Sequence, residues 1–364
     1  MMIPIGNDSW ENGTAELPVF YLEEHTGLRV LTALLLSISA AVGSFGNLLV
    51  IVVILRIKTL RTCGNYFVLN LALADLIVTM LIDPFNVVGT VAGRSVLVHN
   101  PSLCEWIAAF CAPACMGSMW NMCAISLNRY VLICHHAKYA RIFTQANTIL
   151  MCVGIWILCH LFHLPNHVGW GMSRFQSDYY LCSFDMELHS YAIFYIITGV
   201  VIPLLGVLVG YAGIFRRVRT VRTQMKLYKS GSISEPGKQT RPRHSDFTQD
   251  DIKLVKTLFE AFAVFLACWA LFAILVLAHQ PRSVPGWVYV IAIIMAHGNS
   301  AVNPVIYGMS NDKFREGYKI ILGMRSLRVL PGDTKAEPTD TKTNFHLRRQ
   351  KSIASQSQPS KSSK

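Results

Sequence analysis

The chain has 364 residues, of which 52% are hydrophobic and only 15% charged, and its formal net charge is +12. A soluble domain usually carries about a quarter charged residues, so this composition excludes an ordinary soluble globular protein. The excess of Lys and Arg does not point to nucleic acid either, because no basic folded domain stands apart from the apolar segments.

A membrane-crossing helix needs about 20 predominantly apolar residues. Seven stretches qualify, at roughly 30–55, 66–92, 105–134, 148–168, 190–215, 254–279 and 286–309. The expected fold is an all-α membrane protein, a seven-transmembrane helix bundle with a short amphipathic cytoplasmic helix. Basic residues gather in alternate connections: Arg56, Lys58 and Arg61; Lys138 and Arg141; Arg216, Arg217, Arg219, Arg222 and Lys226; then the C-terminal tail. The other connections hold few, chiefly Arg94, Arg174 and Arg282. This positive-inside pattern puts the N-terminus outside and the tail in the cytoplasm. The division is an extracellular segment 1–28, a membrane domain 29–324 and a disordered cytoplasmic tail 325–364.

Residues 1–28 lack the basic start and short apolar core of a cleaved signal peptide, so the first span is expected to act as its own insertion signal. Asn7-Asp8-Ser9 and Asn12-Gly13-Thr14 are glycosylation acceptors on the outer end. The first span carries Gly46-Asn47, a polar residue beside a small one that permits close helix approach. In the second, Asp75 places a carboxylate well inside the bilayer, which marks either a functional site or a neutral, hydrogen-bonded structural acid. Pro84 should kink that span.

The third span organises the rest. Cys111, Cys115, Ser118, Met122, Ile125 and Arg129 recur at steps of four and three, and so share one helix face. Arg129 ends that face, in Asn128-Arg129-Tyr130. A guanidinium on an inward face is costly and usually functional; the alternative is an arginine that snorkels to the cytoplasmic boundary. Most of the ten cysteines lie in spans as packing residues. Cys104 and Cys182 differ, since both face an oxidising compartment where a bridge is chemically feasible.

Trp156 and Leu164-Pro165-Asn166 mark the fourth span, Pro203 and Tyr211 the fifth. The polar, basic stretch 217–250 reads as a cytoplasmic linker, and Asp250-Asp251 opens the sixth span, where the helix dipole favours acids. Cys268-Trp269 follows. Asn299, Asn303 and Tyr307 share a face of the seventh span, and Pro304 frees a backbone carbonyl that a neighbouring polar group must satisfy. Phe314, Tyr318, Ile321 and Leu322 then line one side of a segment bearing Lys313, Arg315 and Lys319, which fits a helix lying on the inner leaflet. The basic run at Arg348-Arg349-Gln350-Lys351-Ser352 could be a kinase target in a tail of disordered composition.

Taken together, Gly46-Asn47, Leu73-Ala74-Asp75, Cys104 with Asn128-Arg129-Tyr130, Trp156, Pro203 with Tyr211, Trp269, and Asn303-Pro304-Val305-Ile306-Tyr307 give one set per span in order. The chain resembles the rhodopsin-like (class A) G-protein-coupled receptors over roughly 28–324. Asn128 to His136, Pro165-Asn166 and Tyr180 to Phe184 are similar to melatonin receptors and to the insect receptors called moody and trapped in endoderm. Cys182-Ser183-Phe184-Asp185 also resembles the medium-chain fatty-acid receptor.

The resemblance implies a multi-pass plasma-membrane receptor, not an enzyme, with a small-molecule extracellular ligand and a heterotrimeric G protein as partners. Arrestin and receptor kinases would engage the tail. It implies a Cys104–Cys182 disulfide and a sodium ion held by Asp75, Ser118, Asn299, Ser300 and Asn303, with no cofactor beyond that ion. Released Arg129 would meet the G protein, with Asp251 its expected partner at rest because Asn128 supplies no charge. Tyr211 and Tyr307 would swing inward. Two departures stand out: Asn128 replaces the commoner acid, and Leu271 stands where the family has a proline, so the sixth span should be straighter.

The resemblance also implies an upper pocket lined by Phe85, Cys111, Cys115, Met116, Asn166, Phe184, Tyr195, Gly199, Trp269, Phe272, Val276, Ile293 and His297. Cys111 stands where monoamine receptors carry an acid, and His297 where opsins carry the retinal lysine. Asn166 and Phe184 match melatonin receptors, but Gly199 and Met186 replace their histidine and glutamine. The expected ligand is a small amphiphile or lipid-like molecule.

Overall fold

A segment in lipid must satisfy its backbone hydrogen bonds internally, so each apolar stretch forms a helix. The structure, a computed structural model, describes residues 22–92, 94–176, 180–185, 188–229, 249–278 and 284–325. Seven helices within it are long and apolar enough to cross a membrane: Thr26–Arg56, Cys63–Ala92, Pro101–Cys134, Gln145–Asn166, His189–Val221, Phe259–Ala278 and Gly286–Ser310. Asn7, Asn12 and the tail beyond residue 325 lie outside the described residues.

The third span runs through the middle, packed on the second, fourth and fifth. Its Cys111, Cys115, Ser118, Met122, Ile125 and Arg129 are all buried, as their common face requires. Leu34, Ile38, Phe45, Leu150, Ile157 and Val209 point outward instead, where lipid would solvate them. A polar junction ties the second, third and fourth spans: Trp156 Nε1 donates to Asn70 Oδ1 at 2.9 Å, and Asn70 Nδ2 donates to Asn121 Oδ1 at 2.9 Å.

Prolines shape the helices. Pro84 removes an N–H and crowds the carbonyl four residues back, and the turn before it widens into a π-helix over Ile77–Ile82. Pro203 follows a second π turn, Ile197–Val201. Pro304 leaves the Ser300 carbonyl without its helical partner, and Asn47 Nδ2 donates to it at 2.9 Å. Leu271, by contrast, sits in one uninterrupted α-helix, Gln249–Ala278.

The inner connection differs from expectation. Helix continues from Ile202 to Lys229 and is present again from Gln249, so helix occupies part of the stretch expected to be a linker; 230–248 lie outside the described residues. Arg, Gln, Met, Leu and Lys are good helix formers, and no Gly or Pro stands between Gly213 and Gly231. At one end of the bundle, β1 (Ser173–Gln176) pairs antiparallel with β2 (Leu181–Phe184). A disulfide joins Cys182 of β2 to Cys104 of the third span and holds the strand pair over the bundle. At the other end, Asn311 caps the amphipathic helix Asp312–Ile321 by accepting from the N–H groups of Lys313 and Phe314.

Candidate functional site

Three levels stack along the third span. The uppermost is a cleft with about 410 Å³ of empty space, part of it open to solvent, lined by Cys111, Cys115, Phe184, Tyr195, Trp269, Phe272, Ile293 and His297, together with Ala108, Ala112, Leu181, Ser183 and Ala296. Aromatic rings form one side: Phe184 lies 4.4 Å from Tyr195 and 6.4 Å from Phe272, which meets Trp269 edge-on at 5.8 Å. Trp269 Nε1 is buried with no hydrogen-bond partner among the described residues. Phe85, Met116, Gly199 and Val276 do not line this cavity; Phe85 packs on Trp106, and Met116 fills the space beside Gly199.

Asn166 requires a correction as a pocket residue. The fourth span ends in a tight 3₁₀ turn, Leu164–Asn166, which directs the amide to Ser173 Oγ of β1 at 2.5 Å and away from the cavity. Arg174 is also committed locally, to Asp185 at 3.0 Å.

A buried acid that sequence reasoning passed over stands behind the cavity. Asp83 is fully buried; its Oδ1 accepts from His297 Nδ1 at 2.7 Å and its Oδ2 from Ser39 at 3.0 Å. Asn86 Nδ2 lies 3.5 Å from the same ring nitrogen. His297 is thus a cavity-lining residue fixed from behind. The available signal was an acid inside an apolar run, the same signal that singled out Asp75.

The middle level surrounds Asp75. Ser118 Oγ donates to its Oδ1 at 2.7 Å, Asn303 Nδ2 to its Oδ2 at 2.8 Å, and Ser300 lies within hydrogen-bonding reach. Asn299, one step before Ser300, keeps a buried Oδ1 with no hydrogen-bond partner among the described residues. One carboxylate among neutral oxygens suits a small hard monovalent cation. No group of three or more His, Cys, Asp and Glu among the described residues is placed to hold a metal.

The lowest level is an inner cavity of about 240 Å³ lined by Leu71, Met122, Ile125, Val207, Tyr211, Ala261, Phe262 and Tyr307. The Tyr307 hydroxyl is buried there with no hydrogen-bond partner among the described residues. Below it Arg129 is buried, with its guanidinium against Gly64: a Cβ at that glycine would fall 2.6 Å from Nη2 and 2.9 Å from Asn128 Oδ1. Asn128 Nδ2 donates to the Tyr139 hydroxyl at 3.3 Å, and Tyr130 meets His135 at 3.2 Å. The side chain of Asp251 lies outside the described residues, so its expected pairing with Arg129 lies there too. Ser310 donates to Glu260 at 2.8 Å, closing the inner ends of the sixth and seventh spans.

Residues 46–307 match the model of the 7 transmembrane receptor (rhodopsin family). The chain belongs to the rhodopsin family of seven-transmembrane receptors. Melatonin receptor type 1A of Phodopus sungorus is 31% identical over 320 residues, covering 85% of both chains. Melatonin receptor type 1B-B of Danio rerio is 32% identical over 297 residues, covering 80% of this chain and 81% of its own. The crystal structure of squid rhodopsin superposes with a TM-score of 0.68 at 20% identity, over 86% of this chain and 92% of that one, and shows the shared fold. The family is one of membrane receptors, with extracellular ligands and heterotrimeric G proteins as partners.

Proposed function

We propose that this receptor binds a small amphiphilic or lipid-like molecule in the outer cavity and activates a heterotrimeric G protein of the inhibitory class. In this reading the N-terminus is extracellular and the tail cytoplasmic, where arrestin and receptor kinases would engage it. The observation that carries the proposal is continuity. Cavity, Asp75 cluster, inner cavity and Arg129 follow one another along a single buried face of the third span.

A ligand that favours one packing of the outer aromatic rings shifts a pre-existing equilibrium between two arrangements of the bundle. Asp75, Ser118, Asn299, Ser300 and Asn303 would hold a sodium ion in the resting arrangement, where the ion's charge would balance the buried carboxylate. Movement of Tyr211 and Tyr307 into the inner cavity would accompany release of Arg129 toward the G protein. No acid faces the cavity from position 111, which disfavours a monoamine. Melatonin, suggested by the relatives' names, is disfavoured because Gly199 and Met186 stand in this sequence where the resemblance to its receptors leads one to expect a histidine and a glutamine.

The test is guanine-nucleotide exchange on purified G proteins of each class by the receptor in lipid nanodiscs, with and without candidate amphiphiles, amines and melatonin. Exchange on the inhibitory class driven by an amphiphile is expected. Exchange driven by melatonin or by an amine would overturn the ligand assignment, and exchange on another class alone would overturn the coupling.

A further inference from the structure

The outer cavity contains a reactive-thiol arrangement that its receptor role does not explain. Cys111 lines the cavity and lies within hydrogen-bonding reach of both His297 and the Cys115 thiol. The histidine's Nδ1 is occupied by Asp83 at 2.7 Å, which leaves Nε2 as the ring nitrogen for the thiol. Asp83 is itself held by Ser39, and the assembly draws on four different spans: Ser39 on the first, Asp83 on the second, Cys111 on the third and His297 on the seventh. A thiol beside an imidazole whose far nitrogen is oriented by a carboxylate is the arrangement that activates cysteine as a nucleophile. Here it opens onto Ala108, Ala112, Phe184, Trp269, Phe272 and Ile293, an apolar wall.

We propose that Cys111 is a covalent capture site for electrophiles bearing an α,β-unsaturated carbonyl on an apolar chain. The Cys111 sulfur forms a bond to the β-carbon as the carbon–carbon π bond opens and its electrons pass to the carbonyl as an enolate. His297 Nε2 takes the thiol proton and returns it to the α-carbon, so the adduct is formed by addition alone, with no oxidant and no leaving group. Asp83 acts as a positioning residue: it fixes the ring so that Nε2 faces the thiol, and its charge steadies the imidazolium while the proton is held there. Cys115, one turn further in, is placed to donate its S–H to the Cys111 sulfur and is the secondary thiol. The proposal rests on the outer cavity being the ligand pocket, and it adds a chemistry to that pocket: part of its ligand class would be retained by a bond.

The remaining cysteines supply the internal comparison. Cys123 and Cys159 are as buried as Cys111 but have no histidine or carboxylate of this kind beside them. The experiment exposes the full-length receptor in nanodiscs to nonenal, traps the adducts by borohydride reduction, and maps them over time by peptide mass spectrometry. Adducts should accumulate at Cys111 faster than at Cys123 or Cys159 by a factor of about 100, the usual scale of positioned proton transfer. His297→Gln should remove most of that advantage, while Cys268→Ala, outside the cavity lining, keeps it. Asp83→Asn should make the Cys111 rate climb with pH where the wild-type rate is flatter, a change that a purely structural role would not produce.

Equal labelling of the three cysteines in the wild-type protein would overturn the proposal without recourse to any variant. So would an unchanged Cys111 rate in a folded His297→Gln protein. Nucleotide exchange is read separately in the same preparations. Adduct without exchange would support the thiol chemistry and count against the receptor reading; exchange without a Cys111 adduct would do the reverse.

Discussion

His297 Nδ1 and Asp83 Oδ1 lie 2.7 Å apart although 214 positions separate them in the chain. Removing one member of a buried, hydrogen-bonded pair leaves its partner uncompensated, at a cost of about 3–5 kcal/mol. Asp83→Ala and His297→Ala should each lower the thermal unfolding midpoint of the nanodisc-embedded receptor. The double variant should lose less than the sum, because neither orphan then remains. Additive losses would mean that the two side chains stabilise the bundle independently.

The pair also marks where sequence reading stopped. Polar residues within apolar spans were legible one at a time, since each is expensive there and so conspicuous; Asp75, Asn303 and Arg129 were found in that way. Asp83 has the same character but stands beside Pro84, which drew the whole explanation of that stretch. Helical counting hid it further. At about 100° per residue, an eight-residue step puts Asp83 about 80° away from Asp75, and only the extra residue of a π turn restores it to the same face. Whether a proline provokes a kink or a π turn depends on packing across spans, which spacing alone does not encode. Asn166 was expected in the cavity from the resemblance to melatonin receptors, and the 3₁₀ turn Leu164–Asn166, with the amide on Ser173, is a local feature that resemblance does not encode.

Asp75→Asn keeps the shape of the middle cluster but removes its charge. Sodium should raise the unfolding temperature of the wild-type receptor relative to the same concentration of N-methylglucamine. In the Asp75→Asn protein that difference should vanish. A sodium effect that survives the substitution would place the ion elsewhere.

Gly64 is the floor on which the Arg129 guanidinium rests. In Gly64→Ala the new methyl would fall 2.6 Å from Nη2, so the guanidinium must leave this position. Overpacking of this kind costs about 1–3 kcal/mol, and a bias of that size shifts a two-state equilibrium by roughly 5- to 150-fold. Basal nucleotide exchange by the variant should rise accordingly, with surface expression as the control. A fall in exchange at equal expression would contradict this placement of the resting arginine.

Cys104 and Cys182 close a long loop, and paired replacement by serine should cost about 2–5 kcal/mol. The loss should concentrate in the hairpin, where Phe184 leaves β2 to line the cavity. Hydrogen–deuterium exchange over residues 173–184 should quicken, and the outer cavity should lose ligand affinity before the inner one loses coupling. Unchanged exchange in the hairpin would show that strand pairing alone holds it.

On the amphipathic helix, Lys319 and then Arg325 hold the partly exposed Glu316 carboxyl below its usual range. A carboxylate lowered in the folded state contributes stability that is present at neutral pH and lost as pH falls through the folded-state value. The end of the amphipathic helix should therefore exchange amide hydrogens faster, relative to intrinsic rates, in acid than at pH 7. Glu316→Gln should abolish that pH dependence, and persistence of it in the variant would assign the effect to another group.

The central claim is that a buried guanidinium is the output of a ligand-controlled bundle. Its most direct measurement compares guanine-nucleotide exchange catalysed by the wild-type receptor and by Arg129→Ala, in matched nanodiscs against purified inhibitory-class G protein. The account predicts exchange above the protein-free rate for the wild type and its loss in the variant, with ligand affinity at the outer cavity retained. Equal exchange by the two proteins would contradict it.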